Sequence, residues 1–349
     1  MIVVLTAFGA AHARSLDGAA PRAEVPTTAT SVRPAPGRAT VGEGAMRDDG
    51  DGSAGPPVDL PAPDRPLGPP GLGVRVGAPR HDGAGTWFAV ALPAGLDGPP
   101  GVLQGGLTAG LTAELATLVD RHGAPLHALT ARLAAPTLLD APLAAHVTPG
   151  ASAGWYDVTT WQHGAPRVSA TVELTGTDPL DALADLVALA EGPPPPPSPD
   201  PLYPTCFVCG TASTHPLALR TPPAFLASDR LSVPWVPDPG LVRPGSADGG
   251  GPGQVALPVV AAALDCPSAW ATVPAAREAG HRAVLLGSLR LQVAGPVEAL
   301  DPVRVTARMD AQEGRKLRAR SAVVDSDGRA LAVLDALHIA VDALPDVGA

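Results

Sequence analysis

The sequence predicts an α+β chain in which one simple unit is used twice, each time as a single helix wrapped by a curved antiparallel sheet, behind a disordered arm. Three observations predict this. Residues 14 to about 70 lack apolar periodicity and are rich in Pro, Gly, Ala and Asp. Five prolines after Gly192 divide the remaining chain into stretches of about 80–190 and 202–345. Both stretches read in the same order: strand, Gly/Pro loop, apolar helix, successive strands.

The arm is represented by Met46-Arg-Asp-Asp-Gly-Asp-Gly-Ser-Ala-Gly-Pro-Pro57. Such a stretch buries too little apolar surface to offset chain entropy. Residues 1–75 are therefore expected to be a disordered Pro/Gly-rich arm. The first folded unit is set at 76–191, a stiff polyproline linker at 192–201, and the second unit at 202–345. Within the arm, residues 1–13 carry a short apolar stretch ending in Ala-His-Ala, with no basic residue before it. This fits an export leader poorly; a start codon placed too far upstream explains it equally, and a cytoplasmic protein is expected.

The first unit opens with a strand over 86–92 (Thr-Trp-Phe-Ala-Val-Ala-Leu) and a loop, Gly98-Pro-Pro-Gly101. A helix is expected over 107–119. After Gly123 three strands follow, over 128–134, over 143–148 with a continuation past Gly154, and over 167–174. A helical tail over 179–190 closes the unit.

The second unit opens with a strand over 230–235 and a glycine-rich loop, Asp248-Gly-Gly-Gly-Pro-Gly253. Its helix is expected over 258–270. Strands follow over 285–293, 303–309 and 317–324. Asp325-Ser-Asp-Gly328 sits between two apolar runs, a strong hairpin signal, and leads to a last strand over 330–341. Turn residues correspond: Asp140-Ala-Pro142 and Asp301-Pro302 fall at like places in the two units. A helix ahead of successive antiparallel strands must lie on one face of their sheet.

Composition bounds the function. The 349 residues have a net charge of −10, and 45% are hydrophobic. Lysine is nearly absent and no basic run stands out, which argues against nucleic acid as a partner through phosphate neutralisation. No apolar run reaches the ~20 residues of a membrane span. Three cysteines are too few for a disulfide framework.

Gly101-Val-Leu-Gln-Gly-Gly106, followed by a helix and then Leu129-Thr-Ala-Arg-Leu-Ala-Ala-Pro136, resembles the hotdog acyl-CoA thioesterases, most of all the tandem, thioesterase II-like branch. The second unit resembles a group of actinobacterial hotdog proteins of unassigned role. Its marks are Cys206-Phe-Val-Cys-Gly210, His215-Pro-Leu-Ala-Leu-Arg220, Ala262-Ala-Leu-Asp-Cys-Pro-Ser-Ala-Trp270 and Gly314-Arg-Lys-Leu317. The likeness covers roughly residues 80–343. It implies a double hotdog fold and, by analogy, thioester chemistry. The implied partner is acyl-CoA or another acyl thioester, with no cofactor, and a homodimer of double hotdogs is among the assemblies it allows. The alternative is a non-catalytic acyl-CoA-binding or scaffold protein using the same cleft.

Thioester hydrolysis needs a carboxylate to activate water or attack, N–H groups to hold the oxyanion, and room for the acyl chain. The resemblance places the first two on the central helix. Gly105 and Gly106 open the first helix where free amides and the helix dipole favour negative charge, and Gln104 can bond the thioester carbonyl or the water. The plainer reading is a helix start with glycines for close packing. Two acids are candidates for the base. Asp265 lies amid alanines and leucine on the second helix, where desolvation raises its pKa; it also reads as a buried acid capping a break at Cys266-Pro267. Glu114 sits ten residues beyond Gln104, near the family's usual spacing but offset from it, and also reads as a solvent-side residue. Gln-Gly-Gly and the best acid thus lie in different units. Either the two units combine one composite site, or both have lost essential parts.

Arg315 and Lys316 form a compact basic spot, and alternation puts Lys316, Arg318 and Arg320 on one strand face. They are candidates for coenzyme A phosphates or simply a solvated face. Cys206 and Cys209 supply two of the four ligands a zinc site needs; His215 and Cys266 are the residues left to complete such a set, with nothing in the sequence to bring them near. Structural thiols are the expected reading, with no metal.

Overall fold

The computed structural model describes residues 55–139, 141–176, 180, 183–198, 203–246 and 252–344. Most of the expected arm, with the leader-like residues 1–13, lies outside them. The rest of the arm departs from expectation. Strands β1 (Arg65–Pro66) and β2 (Arg75–Val76) pair with each other. Leu67, Leu72, Val74 and Val76 are buried in the main core. Leu72, Val74 and Val76 alternate with exposed neighbours as a strand does, but the run is short and lies among glycines and prolines, so pattern reading missed it. The segment gains its order from the sheet: β2 pairs with β4 and covers its free edge.

After β3 (Arg80–His81) the first half comprises β4 (Thr86–Ala91), α1 (Gly105–Val119), β5 (Ala128–Leu133), β6 (Leu143–Pro149), β7 (Trp155–Gln162), β8 (Ala165–Glu173) and the short α2 (Ala184–Val187). The strands alternate as a sheet with one covered face must: Leu143, Ala145 and Val147 of β6 are buried while their neighbours are partly exposed. β7 is a strand of its own and not a continuation of β6. The Gly150 amide bonds the Trp155 carbonyl at 2.7 Å, and Gly154 takes a positive φ of 79°, which turns the chain into a hairpin. The helical tail shrinks to α2 and a single 3-10 turn at Ala188–Ala190.

The second half comprises β9 (Phe225–Ala227), β10 (Arg230–Trp235), α3 (Leu257–Glu278), β11 (Ala283–Val293), β12 (Val303–Glu313), β13 (Lys316–Val324) and β14 (Ala330–Val341). α3 runs two turns beyond the expected end and passes through Pro267 and Pro274. Each proline removes one helical donor and disfavours the preceding turn, but α3 is buried along most of its length, and packing overrides that local cost. Ser268 and Ser321 help by donating their hydroxyls at 2.8 Å to the Asp265 and Leu264 carbonyls. α3 is long and apolar enough by composition to cross a membrane, yet 78% of its most apolar window is buried inside the fold.

All strands join one antiparallel sheet in the order β1-β2-β4-β6-β7-β8-β5-β11-β14-β13-β12-β10-β9, with β3 added on β4. The halves meet at β5 and β11, where Ala131 faces Leu289 and Leu129 faces Leu291. α1 packs on the first half of the sheet, α3 on the second, and the helices pack on each other. α1 is buried on nearly every face from Gly106 to Ala116, as expected of a helix that is apolar all round. The polyproline segment runs along the exterior, tied by the Arg304 guanidinium to the Gly192 carbonyl at 2.6 Å and by the Ser198 amide to the Pro223 carbonyl at 2.7 Å.

Candidate functional site

Helix α1 begins at Gly105 because Gln104 caps it. Gln104 keeps an extended backbone, and its Oε1 accepts the Leu107 amide at 2.7 Å, which satisfies one donor of the open first turn. The other end of the same side chain reaches the second half. Gln104 Nε2 donates to Asp265 Oδ2 at 2.6 Å and to Cys266 Sγ at 3.7 Å.

Close helix packing makes this possible. A Cβ on Gly106 would overlap the Ala261 carbonyl oxygen and stand 2.7 Å from Asp265 Cβ; one on Gly110 would overlap Pro258 Cα. Glycines one turn apart let α1 lie against the backbone of α3. The Gly106 amide then donates to Asp265 Oδ2 at 2.8 Å. A Cβ on Gly105 would stand 3.0 Å from both Asp265 Oδ2 and Leu286 Cβ. Its own amide, the first of the helix, has no intrahelical acceptor.

Asp265 is 5% exposed. Oδ2 carries two hydrogen bonds and Oδ1 has no partner among the described residues. Burial pushes the carboxyl up to about 7; the Gly106 and Gln104 donors pull it down, and negative charge at Cys206 adds to the rise.

A cavity of about 230 Å³ opens beside this carboxyl at the junction of the halves. Its walls come from the start of α1 (Gln104, Gly105, Thr108), the turn after β5 (Leu133 to Thr137), α3 (Asp265, Cys266, Trp270), β11 (Val284 to Gly287) and β14 (His338, Ile339), with Tyr203, Cys206 and Cys209 completing the lining. The lining is mostly apolar with a few convergent polar groups, the usual character of a small-molecule site.

The structure therefore brings Gln104, Gly105 and Gly106 of the first half together with Asp265 of the second. It sets the other candidates apart. Glu114 is buried on α1, where burial pushes its carboxyl up against the pull of Arg243, and it is absent from the cavity wall. Arg315 holds the Ala340 carbonyl through Nε at 2.8 Å. Lys316 is exposed at the start of β13, in register with the wall residue Ile339. Arg320 is engaged by Asp310 and Asp185.

Sequence reasoning missed two features, and left open a third, the completion of the CxxC set by Cys266. Ser268 and His338 form a buried pair at 2.9 Å. Because the Ser268 hydroxyl donates to the Asp265 carbonyl, it accepts from His338 Nε2–H, which leaves Nδ1 bare and without a partner among the described residues. Burial holds this imidazole down to about 3. Tyr203 contributes a buried hydroxyl, also without a partner among the described residues. Cys266 meets the CxxC pair: its sulfur is 3.6 Å from that of Cys206. Contacts with the other two thiols, and burial, push the Cys266 thiol up, while the same contacts hold Cys206 low. The adjacency of Cys266 to Asp265 was the available signal. His215, by contrast, packs edge-on against Phe207, and its Nδ1 accepts the Leu217 amide at 3.2 Å.

No family model and no curated protein matches the sequence. Solved structures do match. A tesB protein from Mycobacterium avium subs paratuberculosis aligns with a TM-score of 0.51 at 14% identity, over 75% of this chain and 95% of that one. An acyl-CoA thioesterase II from Mycobacterium marinum aligns with a TM-score of 0.50 at 14% identity, over 78% of this chain and 97% of that one. At such identity the likeness is one of fold, and with the helix-on-curved-sheet geometry above it gives this chain the hotdog fold seen in thioesterase II-type proteins.

Proposed function

We propose that the chain is a double hotdog, with α1 and α3 as its two central helices, and that the junction cavity binds an acyl thioester and hydrolyses it. One observation carries this reading. Asp265 is buried at the cavity wall with one oxygen fixed by both Gln104 and Gly106 and the other without a partner. A carboxylate so fixed is oriented for general-base work.

In this mechanism Asp265 Oδ1 takes a proton from water as the water oxygen attacks the thioester carbonyl carbon. Charge develops on the carbonyl oxygen, and the Gly105 amide is the helix-terminal donor free to meet it. The C–S bond breaks, and the proton held by Asp265 passes to the departing thiolate. Gln104 and the Gly106 amide act on the carboxylate and fix its orientation. The acyl group lies along Leu133, Trp270, Leu286 and Ile339. Lys316, beside the β14 wall, and Arg315 are the cations available to coenzyme A phosphates.

The test is hydrolysis of a panel of acyl-CoAs, followed by release of free thiol. Turnover that disappears in Asp265→Asn supports the proposal. Binding of acyl-CoA by the wild-type protein without turnover identifies a non-catalytic binding protein.

A further inference from the structure

Three thiols converge in the wall of the cavity. Cys206 and Cys209 lie on one tight turn; Cys266 lies on α3, 60 residues further along the chain. All three sulfurs fall within 4.8 Å of one another, and Cys206 and Cys266 are 3.6 Å apart. Tetrahedral zinc with Zn–S bonds of about 2.3 Å has sulfur–sulfur edges of about 3.8 Å, so little movement is needed to close three ligands on one ion.

Gln104 Nε2 donates to Cys266 Sγ at 3.7 Å, a contact that stabilises a sulfur carrying negative charge. The glycine after the Cys206/Cys209 pair is required by their turn. The Gly210 amide bonds the Cys206 carbonyl at 2.9 Å, and a Cβ on Gly210 would overlap the Pro204 carbonyl oxygen. Buried structural thiols need neither an amide donor nor a third sulfur brought in from another element.

We propose that Cys206, Cys209 and Cys266 bind a soft, thiolate-preferring cation, zinc foremost, as a three-sulfur site whose fourth position opens on the cavity. The chemistry selects the ion: three thiolates favour zinc over hard cations such as magnesium or calcium. Each ligating thiol releases its proton on binding. The fourth position is open because no His, Asp or Glu joins the three sulfurs within the same reach among the described residues. A cavity water or a thiol-bearing ligand fills it, with the Tyr203 hydroxyl, which has no partner among the described residues, lining the same cavity. The ion clips the segment carrying the CxxC turn to α3, next to Asp265. This inference stands whether or not the cavity hydrolyses thioesters.

The test uses the full chain, reduced and stripped with chelator, and titrated with cobalt(II) and then zinc. The expected result is a near-ultraviolet sulfur-to-cobalt charge-transfer band that saturates at about one ion per chain and is bleached by zinc. Zinc should also protect all three thiols from alkylation, and chelator should restore their reactivity. Cys209→Ser and Cys266→Ser should each abolish the band. Cys266 lies in the core, so the wild-type titration decides alone if that variant unfolds. No charge-transfer band and no protection by zinc in the wild-type protein would overturn the proposal. So would a Cys206–Cys266 or Cys206–Cys209 disulfide in the purified protein that, once reduced, leaves no zinc affinity.

Discussion

Gln104 and Asp265, 161 residues apart in the chain, meet at 2.6 Å across the packed pair of central helices. One side chain does two jobs there. Its carbonyl oxygen caps α1 and its amide nitrogen holds the carboxylate. Gln104→Glu keeps the capping acceptor but sets a second buried carboxyl against Asp265, where the two acids must share a proton or repel. Stability should therefore fall as pH rises and the pair ionises, and kcat for acyl-CoA hydrolysis at neutral pH should fall by about tenfold or more. Steady-state kinetics beside urea unfolding checks both. A kcat at the wild-type level would remove Gln104 from the positioning of Asp265.

Gly106 has a packing role separate from its amide. Gly106→Ala puts a methyl group against the Ala261 carbonyl, a backbone atom that cannot swing aside. Overpacking of this kind costs about 1–3 kcal/mol. The urea midpoint should drop accordingly, and Gly110→Ala should behave alike because its methyl meets Pro258. An unchanged midpoint for both would mean the helices are not held this close.

His338 predicts an acid limit on stability. Its imidazole is held neutral, down to about 3, by burial, whereas in the unfolded chain it titrates near its ordinary value of about 6.5. Below that value the unfolded state binds the extra proton, so stability is lost as pH falls. At pH 5 this group alone should cost about 2 kcal/mol. Urea unfolding at pH 7.5 and pH 5 gives the slope, and His338→Gln should flatten it. A slope unaffected by the substitution would contradict the neutral buried imidazole.

Lys316 is the only lysine in the sequence, and it stands opposite the wall residue Ile339. If it meets coenzyme A phosphates, Lys316→Glu should raise KM for acyl-CoA severalfold and leave kcat near wild type. Thioesters of a short thiol without phosphate should show no change. Equal effects on both substrate types would place the cation elsewhere.

Much of the fold was legible because it is written in strong local signals. β6 and β10 alternate, α1 is a long, mostly apolar stretch, and Asp-Gly marks the turn between β13 and β14. The segment 65–76 was not, since its alternation is confined to Leu72, Val74 and Val76 among glycines and prolines, and its order comes from the sheet edge it covers. α3 was read only to 270; Pro274 is a local stop signal, and packing against α1 and the sheet carries the helix past it. At the site, the Gln-Gly-Gly run and the desolvated acid were visible as residue types. Their meeting in a composite site was one of two alternatives the sequence left open, because it depends on Gly106 and Gly110 letting two helices approach across the junction. The place of the third cysteine was left open for the same reason: nothing local brings Cys266 to Cys206.

The central claim is that Asp265, held by the first half of the fold, is the base for thioester hydrolysis in the junction cavity. Hydrolysis of acyl-CoAs by wild type and by Asp265→Asn, with folding of the variant verified by its unfolding transition, tests it most directly. The account predicts turnover in the wild-type protein and a loss of about 10²–10⁴-fold in kcat/KM for the variant, the usual contribution of a general base. Turnover by a folded Asp265→Asn protein at the wild-type rate would contradict it.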